Sequence, residues 1–203
     1  MSSREQHFLK INLVVLLLIL ALIAGVDREK LHSSLLFYPP ATPPTPLAGL
    51  LTHSFQLLCC FPPIVCLFSY ALLSGETSFS NSRHFLLVSG IITGLFAINE
   101  IFRVHIILLY FNIPKFLTIS VYALAILIYG LAFWRRIRQT YYQILIIALA
   151  LLTLAIAIDF LQIKNRGFAS LSEGIPKLLS AVNLASYFWD VCFQEISAKI
   201  KSQ

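Results

Sequence analysis

Asn99, Glu100, Arg103 and His105 fall within seven positions of one apolar stretch, HFLLVSGIITGLFAINEIFRVHIILLYFNIPK over 84–115. That stretch is apolar enough to cross a bilayer, where ionisable side chains are costly and generally serve a purpose. His53, Asp159, Glu173 and Lys177 add further ionisable groups near the ends of other apolar runs. Two imidazoles and three carboxylates offer the nitrogen and oxygen ligands that hold Zn²⁺ while leaving a position open for water. Such a metal brings the pKa of its water toward neutrality and so makes a nucleophile. The metal reading therefore takes zinc as cofactor, with His53, Glu100, His105, Asp159 and Glu173 as ligands. Glu100, His105 and Glu173 are its candidate catalytic residues, in a hydrolase acting on a lipid headgroup or an amide.

A plainer reading stands beside it. Glu100 and Arg103 are three apart and Glu173 and Lys177 four apart, so on helices each couple can form an ion pair. Glu100 and His105 are five apart, roughly 140° around an ideal helix, and cannot both face one small ion unless the helix bends. The sequence contains no H-E-x-x-H, no G-x-S-x-G and no P-loop.

The elements that must position these groups follow from composition. Of 203 residues 58% are hydrophobic and 12% charged, with mean hydropathy +0.83. A soluble domain carries about twice that share of charge. The apolar runs are continuous rather than alternating, which excludes a β-barrel pattern. The expected fold is all-α, a polytopic membrane helix bundle of about six transmembrane helices in a single domain over 1–203. Helices are expected at about 8–26, 47–74, 84–110, 116–134, 141–161 and 172–196. The +6 charge gathers at span ends, where it reports topology, and no basic–aromatic surface for nucleic acid appears.

Along the chain, the first helix is a retained span or a signal peptide cut near Ala24 or Gly25. A proline-rich connection over 37–46, FYPPATPPTP at its core, is extended and semi-rigid. Pro62 and Pro63 fall inside the second helix and are expected to kink it. Gly90 and Gly94 in the third permit close approach of a neighbouring helix. Cys59, Cys60, Cys66 and Cys192 form no C-x-x-C pair and are read as small core residues. In the last helix Glu173, Lys177, Ser180, Asn183, Tyr187, Asp190 and Gln194 recur at steps of three and four. That is one polar stripe at helical period, which in lipid must face other helices or water.

With six spans both termini share one side. Arg4, Lys10, Arg83, Arg135, Arg136, Arg138, Lys199 and Lys201 lie on that side; Arg28, Lys30, Lys115, Lys164 and Arg166 lie on the other. The excess predicts cytoplasmic termini. Alternating direction then brings His53, Glu100, Arg103, His105, Asp159, Glu173 and Lys177 to one depth, at the outer face.

NEIFRVHI (99–106), followed by Ile113-Pro114, resembles a D-D-x-F-x-x-H-E motif, and SEGIPKLLSAVNLASYF (172–188) resembles an E-D-G-x-K-x-x-G-x-x-x-W-x-x-Y-F pattern. Together, over 84–196, they are similar to a family of uncharacterised prokaryotic multi-spanning proteins. Glu100, Phe102, His105, Glu173, Gly174, Lys177, Tyr187 and Phe188 match in kind. Asn99 stands where the motif has Asp and Ile106 where it has Glu, which removes two carboxylates from any metal site. A more distant likeness is to alkaline ceramidases and related seven-helix hydrolases, which gather Ser, Asp and several His at one membrane face. This chain has fewer histidines and fewer helices.

The resemblance implies a multi-pass protein of a prokaryotic inner membrane or thylakoid. The leading expectation is a binding or assembly role around the outer polar cluster, with the bilayer and another membrane protein as partners. The alternatives are the metal-dependent hydrolase and a small proton- or ion-coupled transporter using the stripe around Asp190.

Overall fold

The structure is a computed structural model and describes residues 3–28, 33–37, 47–74, 79–161 and 165–202. Those residues are almost wholly helical, as continuous apolar runs without turn signals dictate. In chain order the helices are α1 (Ser3–Arg28), α2 (Leu50–Leu72), α3 (Ser80–Phe102), α4 (Val104–Tyr110), α5 (Lys115–Ala132), α6 (Trp134–Ile137), α7 (Tyr142–Phe160) and α8 (Arg166–Ser202), with a 3-10 turn at Ser33–Leu36. Except for Phe37, the proline-rich connection expected over 37–46 lies outside the described residues, as do Lys30 and Lys164.

Five of these helices are long and apolar enough to cross a membrane: Glu5–Val26, Leu50–Leu72, Ser80–Phe102, Lys115–Ala132 and Tyr142–Phe160. The expected sixth span, 172–196, is not among them. Its physical reason is polarity: Glu173, Lys177 and Asp190 of the stripe, with Glu195 on the buried face, put four charges into that one segment. The helix itself forms and is longer than expected. Its apolar side is well covered, with Leu178, Ala181, Val182, Ala185, Phe188, Val191 and Cys192 buried. By contrast only 11% of the apolar windows of α1 and α5 is covered, so most of their surface is left for lipid.

Three boundaries differ from expectation for identifiable reasons. The helix expected over 84–110 breaks at Arg103, whose backbone is left-handed (φ 50°, ψ 45°). Arg135 and Arg136 belong to the separate short helix α6. The last helix begins at Arg166 instead of about 172, so Pro176 falls in its interior, where it removes one backbone donor. Pro62 and Pro63 lie buried within a single continuous α2.

The chain packs as two compact units, Met1–Leu58 with Gln143–Ser186, and Cys59–Tyr142 with Tyr187–Gln203. In the first, the buried Leu36 anchors the 3-10 turn. Gly49, at φ 74°, turns the chain into α2 and donates its N–H to the Leu35 carbonyl (2.7 Å). Thr52 Oγ1 donates to the Phe37 carbonyl (2.7 Å). The Phe37 ring lies so close over Gly174 that a Cβ there would fall among the ring carbons. In the second unit α3 meets α2 through its glycines. A Cβ on Gly90 would come 2.9 Å from Leu67 Cγ, and one on Gly94 would come 3.5 Å from Pro63 Cβ. This is the close approach that the G-x-x-x-G spacing leads one to expect.

Candidate functional site

The polar residues singled out from sequence divide between the units. His53, Asp159, Glu173 and Lys177 belong to the first; Glu100, Arg103 and His105 belong to the second. Each is best understood where it stands.

In the second unit the motif 99–105 is a helix break. The buried Asn99, in the last turn of α3, has its side chain turned along the chain: Oδ1 accepts the backbone N–H of His105 (3.2 Å) and Nδ2 donates to Glu100 Oε1 (3.4 Å). The first N–H groups of any helix lack intrahelical acceptors. Asn99 therefore supplies α4 with an acceptor across the left-handed residue Arg103. Arg103 is exposed, and its left-handed backbone ends α3. Glu100 and His105 are half-buried, and both have further partners.

In the first unit His53 is exposed near the start of α2 and shares a hydrogen bond with Gln56 (Nδ1 to Oε1, 3.2 Å). Lys177 places its ammonium 4.9 Å from the centre of the Phe55 ring, a cation–π contact. Asp159 and Glu173 are half-buried and engaged. Among the described residues no three His, Cys, Asp or Glu side chains come together as a metal site. The expected zinc centre of His53, Glu100, His105, Asp159 and Glu173 is thereby overturned, and the metal-dependent hydrolase loses its ligand set. The five residues are divided between the units, three in the first and two in the second, and among the described residues neither set gathers into a ligand cluster.

The stripe on α8 is spent differently along its length. Ser180 is buried and donates to the Ala148 carbonyl of α7 (2.7 Å). Asn183 forms a closed amide pair with Asn12 of α1, each Nδ2 donating to the other's Oδ1 (2.7 and 2.9 Å). In the second unit the Tyr187 hydroxyl meets Thr140 Oγ1 (3.0 Å), and Gln194 Nε2 donates to Asp190 Oδ2 (2.6 Å). Trp189, beside Asp190, has its ring 5.9 Å from that of Phe61, which stands at the centre of the Leu50–Leu72 span. Asp190 thus follows directly on the residue that packs at the middle of α2. It is only half-buried, and Trp189 and Phe193 on either side of it are exposed.

Several connections had no counterpart in the sequence reading. Glu195 is buried and paired with Arg136, which also donates through Nη2 to Ser82 Oγ (2.9 Å). A signal was present: Ala181, Ala185, Phe188, Cys192 and Glu195 follow one another at helical steps, so the acid continues the buried apolar face. Asn12 is likewise a lone amide in an otherwise aliphatic run. The Cys66 and Cys192 thiols, both buried, come within 4.0 Å of one another. Ser89 Oγ and Tyr129 OH share a buried hydrogen bond of 2.7 Å. None of these pairs is visible from spacing, since their members lie in different helices.

A family model described as Domain of unknown function (DUF8692) matches residues 11–191. Neither the curated proteins nor the solved structures contain a match.

Proposed function

We propose that this chain, which belongs to the DUF8692 family of domains of unknown function, acts as a binding or assembly partner inside a membrane. The observation that carries this reading is the depth and exposure of Asp190. A carboxylate half-uncovered at mid-span depth is expensive against lipid, and such residues almost always face a bundle interior or a water-filled cavity, so a second chain completing the bundle there would shelter it. Exposed Trp189 and Phe193 flank it on the same helix. A partner helix bearing a basic or amide side chain at its middle would cover the carboxylate and the two rings together.

The same reading takes α8 as a sixth, sheltered crossing. Within the second unit it runs beside α2, from Trp189 at Phe61, through Cys192 at Cys66, to Lys199, whose Nζ donates to the Leu72 carbonyl (2.9 Å). Six crossings put both termini on one side, and the basic excess makes that side cytoplasmic. Reporter fusions at each terminus test this; opposite locations would reject it.

The assembly role is tested by size. The protein is extracted from its own membrane in mild detergent and its particle mass measured, for the natural chain and for Asp190→Ala and Trp189→Ala. Loss of a larger complex in both variants supports the reading. A natural chain that is monomeric, or a complex indifferent to both changes, rejects it. Asp190 also favours a second reading, proton- or ion-coupled transport. Flux in liposomes abolished by Asp190→Asn, with particle mass unchanged, would select it.

A further inference from the structure

One end of the second unit carries an unusual excess of positive charge. Arg136 fixes the place: it is paired with Glu195 of α8, bonds Ser82 of α3, and donates through Nη1 to Gln139 Oε1 (3.2 Å). Arg83 follows Ser82 and lies 5.2 Å from the Tyr70 ring centre of α2. Lys199 reaches the Leu72 carbonyl, and Lys201 is two positions on. Arg135 and Arg138 flank Arg136, the latter 5.7 Å from the exposed Trp134 ring. The ends of α2, α3, α6 and α8 therefore bring six cations together, and the acid bonded among them, Glu195, is already matched to Arg136.

Two further observations point to an anion. The Nε atoms of Arg83 and Arg136 are buried, and no acceptor among the described residues reaches them. Like charges gathered this closely repel, so an oxyanion gains from several at once. The level of the cluster indicates the source of that anion. Leu72 ends one span, Ser80 begins the next, and Arg135 to Arg138 lie between spans ending at Ala132 and starting at Tyr142. This is headgroup depth, where aromatic and basic side chains belong. Leu72, Leu131 and Trp134 expose apolar surface directly beside it.

We propose that this cationic end is a binding site for the phosphate of an anionic phospholipid, whose acyl chains lie along the adjoining apolar surface. Arg83, Arg135 and Arg138 supply the charge, and Arg136, held by Glu195, anchors the site. Basic pockets at the ends of transmembrane helices recognise acidic headgroups in this way. The site is independent of Asp190 and of any assembly role.

The test uses the full chain in detergent micelles, titrated with phosphatidylglycerol, phosphatidylcholine or inorganic phosphate and read by native mass spectrometry. Phosphatidylglycerol is expected to be retained, and to be lost as salt rises. The variant Arg83→Gln/Arg135→Gln/Arg138→Gln should bind it about 100-fold more weakly, at about fivefold per cation. Should that variant fail to fold, Lys199→Gln/Lys201→Gln serves instead, with an expected loss of about 25-fold on the same scale. Equal retention of phosphatidylcholine overturns the proposal, as does unchanged affinity in the variant that folds. Displacement of the lipid by millimolar inorganic phosphate would also overturn it, by making a soluble anion the ligand.

Discussion

Replacing Asn12 by Leu should loosen α1 from the first unit by an amount the hydrogen bonds allow one to work out. Each amide of the Asn12–Asn183 pair keeps a local acceptor: Asn12 Nδ2 also donates to the Phe8 carbonyl (2.9 Å) and Asn183 Nδ2 to the Leu179 carbonyl (2.8 Å). The substitution therefore removes two interhelical hydrogen bonds and leaves Asn183 Oδ1 without its donor at a site that is 1% exposed. Interhelical hydrogen bonds in membranes contribute about 0.6 kcal/mol each on average and up to about 1.7. A buried polar group left unpaired costs about 1–3 kcal/mol. The expected loss is about 1–3 kcal/mol for Asn12→Leu, and similar for Asn183→Leu. The double variant should cost less than the sum of the two by about 1–2 kcal/mol, because the second change removes the orphan created by the first.

The assay is a double-mutant cycle in mixed micelles, with unfolding driven by SDS. Strict additivity, or single changes that cost less than about 0.3 kcal/mol, a size ordinary for surface substitutions, would refute the reasoning. The pair bears on processing as well. Cleavage near Ala24 or Gly25 would carry Asn12 away and leave Asn183 orphaned, so the intact mass of the mature protein should include α1. A mature N-terminus at or beyond residue 25 would show that the pair does not form in the cell.

Three other outcomes are expected. The Cys66 and Cys192 thiols should join as a disulfide under a membrane-permeant oxidant such as copper–phenanthroline, seen as a reducible loss of two mass units between peptides of α2 and α8; two persistently free thiols would contradict their 4.0 Å approach. Arg136→Met or Glu195→Leu should each destabilise by about 2 kcal/mol, below the 3–5 of a fully buried pair because the Arg136 side chain is 32% exposed, while the double change should recover much of that loss in thermal or SDS unfolding. Asn99→Leu should cost about 1 kcal/mol, the usual worth of a cap, whereas Asn99→Asp should be near neutral in the same assay. A larger effect for Asp than for Leu would remove the capping role.

Helix positions were legible because apolar content and span length report directly on the bilayer. The G-x-x-x-G contact of α3 with α2 was legible for the same reason, since two glycines four apart open one face to a neighbour. The break at Arg103 was not. The run 84–110 keeps its apolarity through Ile106, Ile107 and Leu109, and a left-handed arginine carries no composition signal. Asn99 was seen, but as a departure from a carboxylate motif; only backbone geometry shows its Oδ1 on the His105 N–H. The polar stripe of α8 was legible as a stripe, yet its partners were not, because Asn12, Ala148 and Thr140 come from segments remote in sequence. Glu195 was hidden by the opposite error: it lies on the apolar face, where an acid is not sought. The count of spans missed by one because the same stripe that makes α8 informative makes it too polar to register as a crossing.

The two kinds of intramembrane polar residue in this chain separate on one criterion, whether the protein itself covers them. Ser180, Asn183 and Tyr187 are buried and bonded across helices, and they read as packing devices that fix how α8 meets its neighbours. Asn99 belongs with them. Either Asn or Asp at that position accepts a backbone N–H equally well, so the replacement that would weaken a metal site leaves a cap intact. Asp190 does not belong with them. It shares the same stripe, but it is half-uncovered and stands beside two exposed aromatic residues, Trp189 and Phe193. Its carboxylate accepts from Gln194 one turn on and stays half-exposed, the exposure on which the proposed binding role rests.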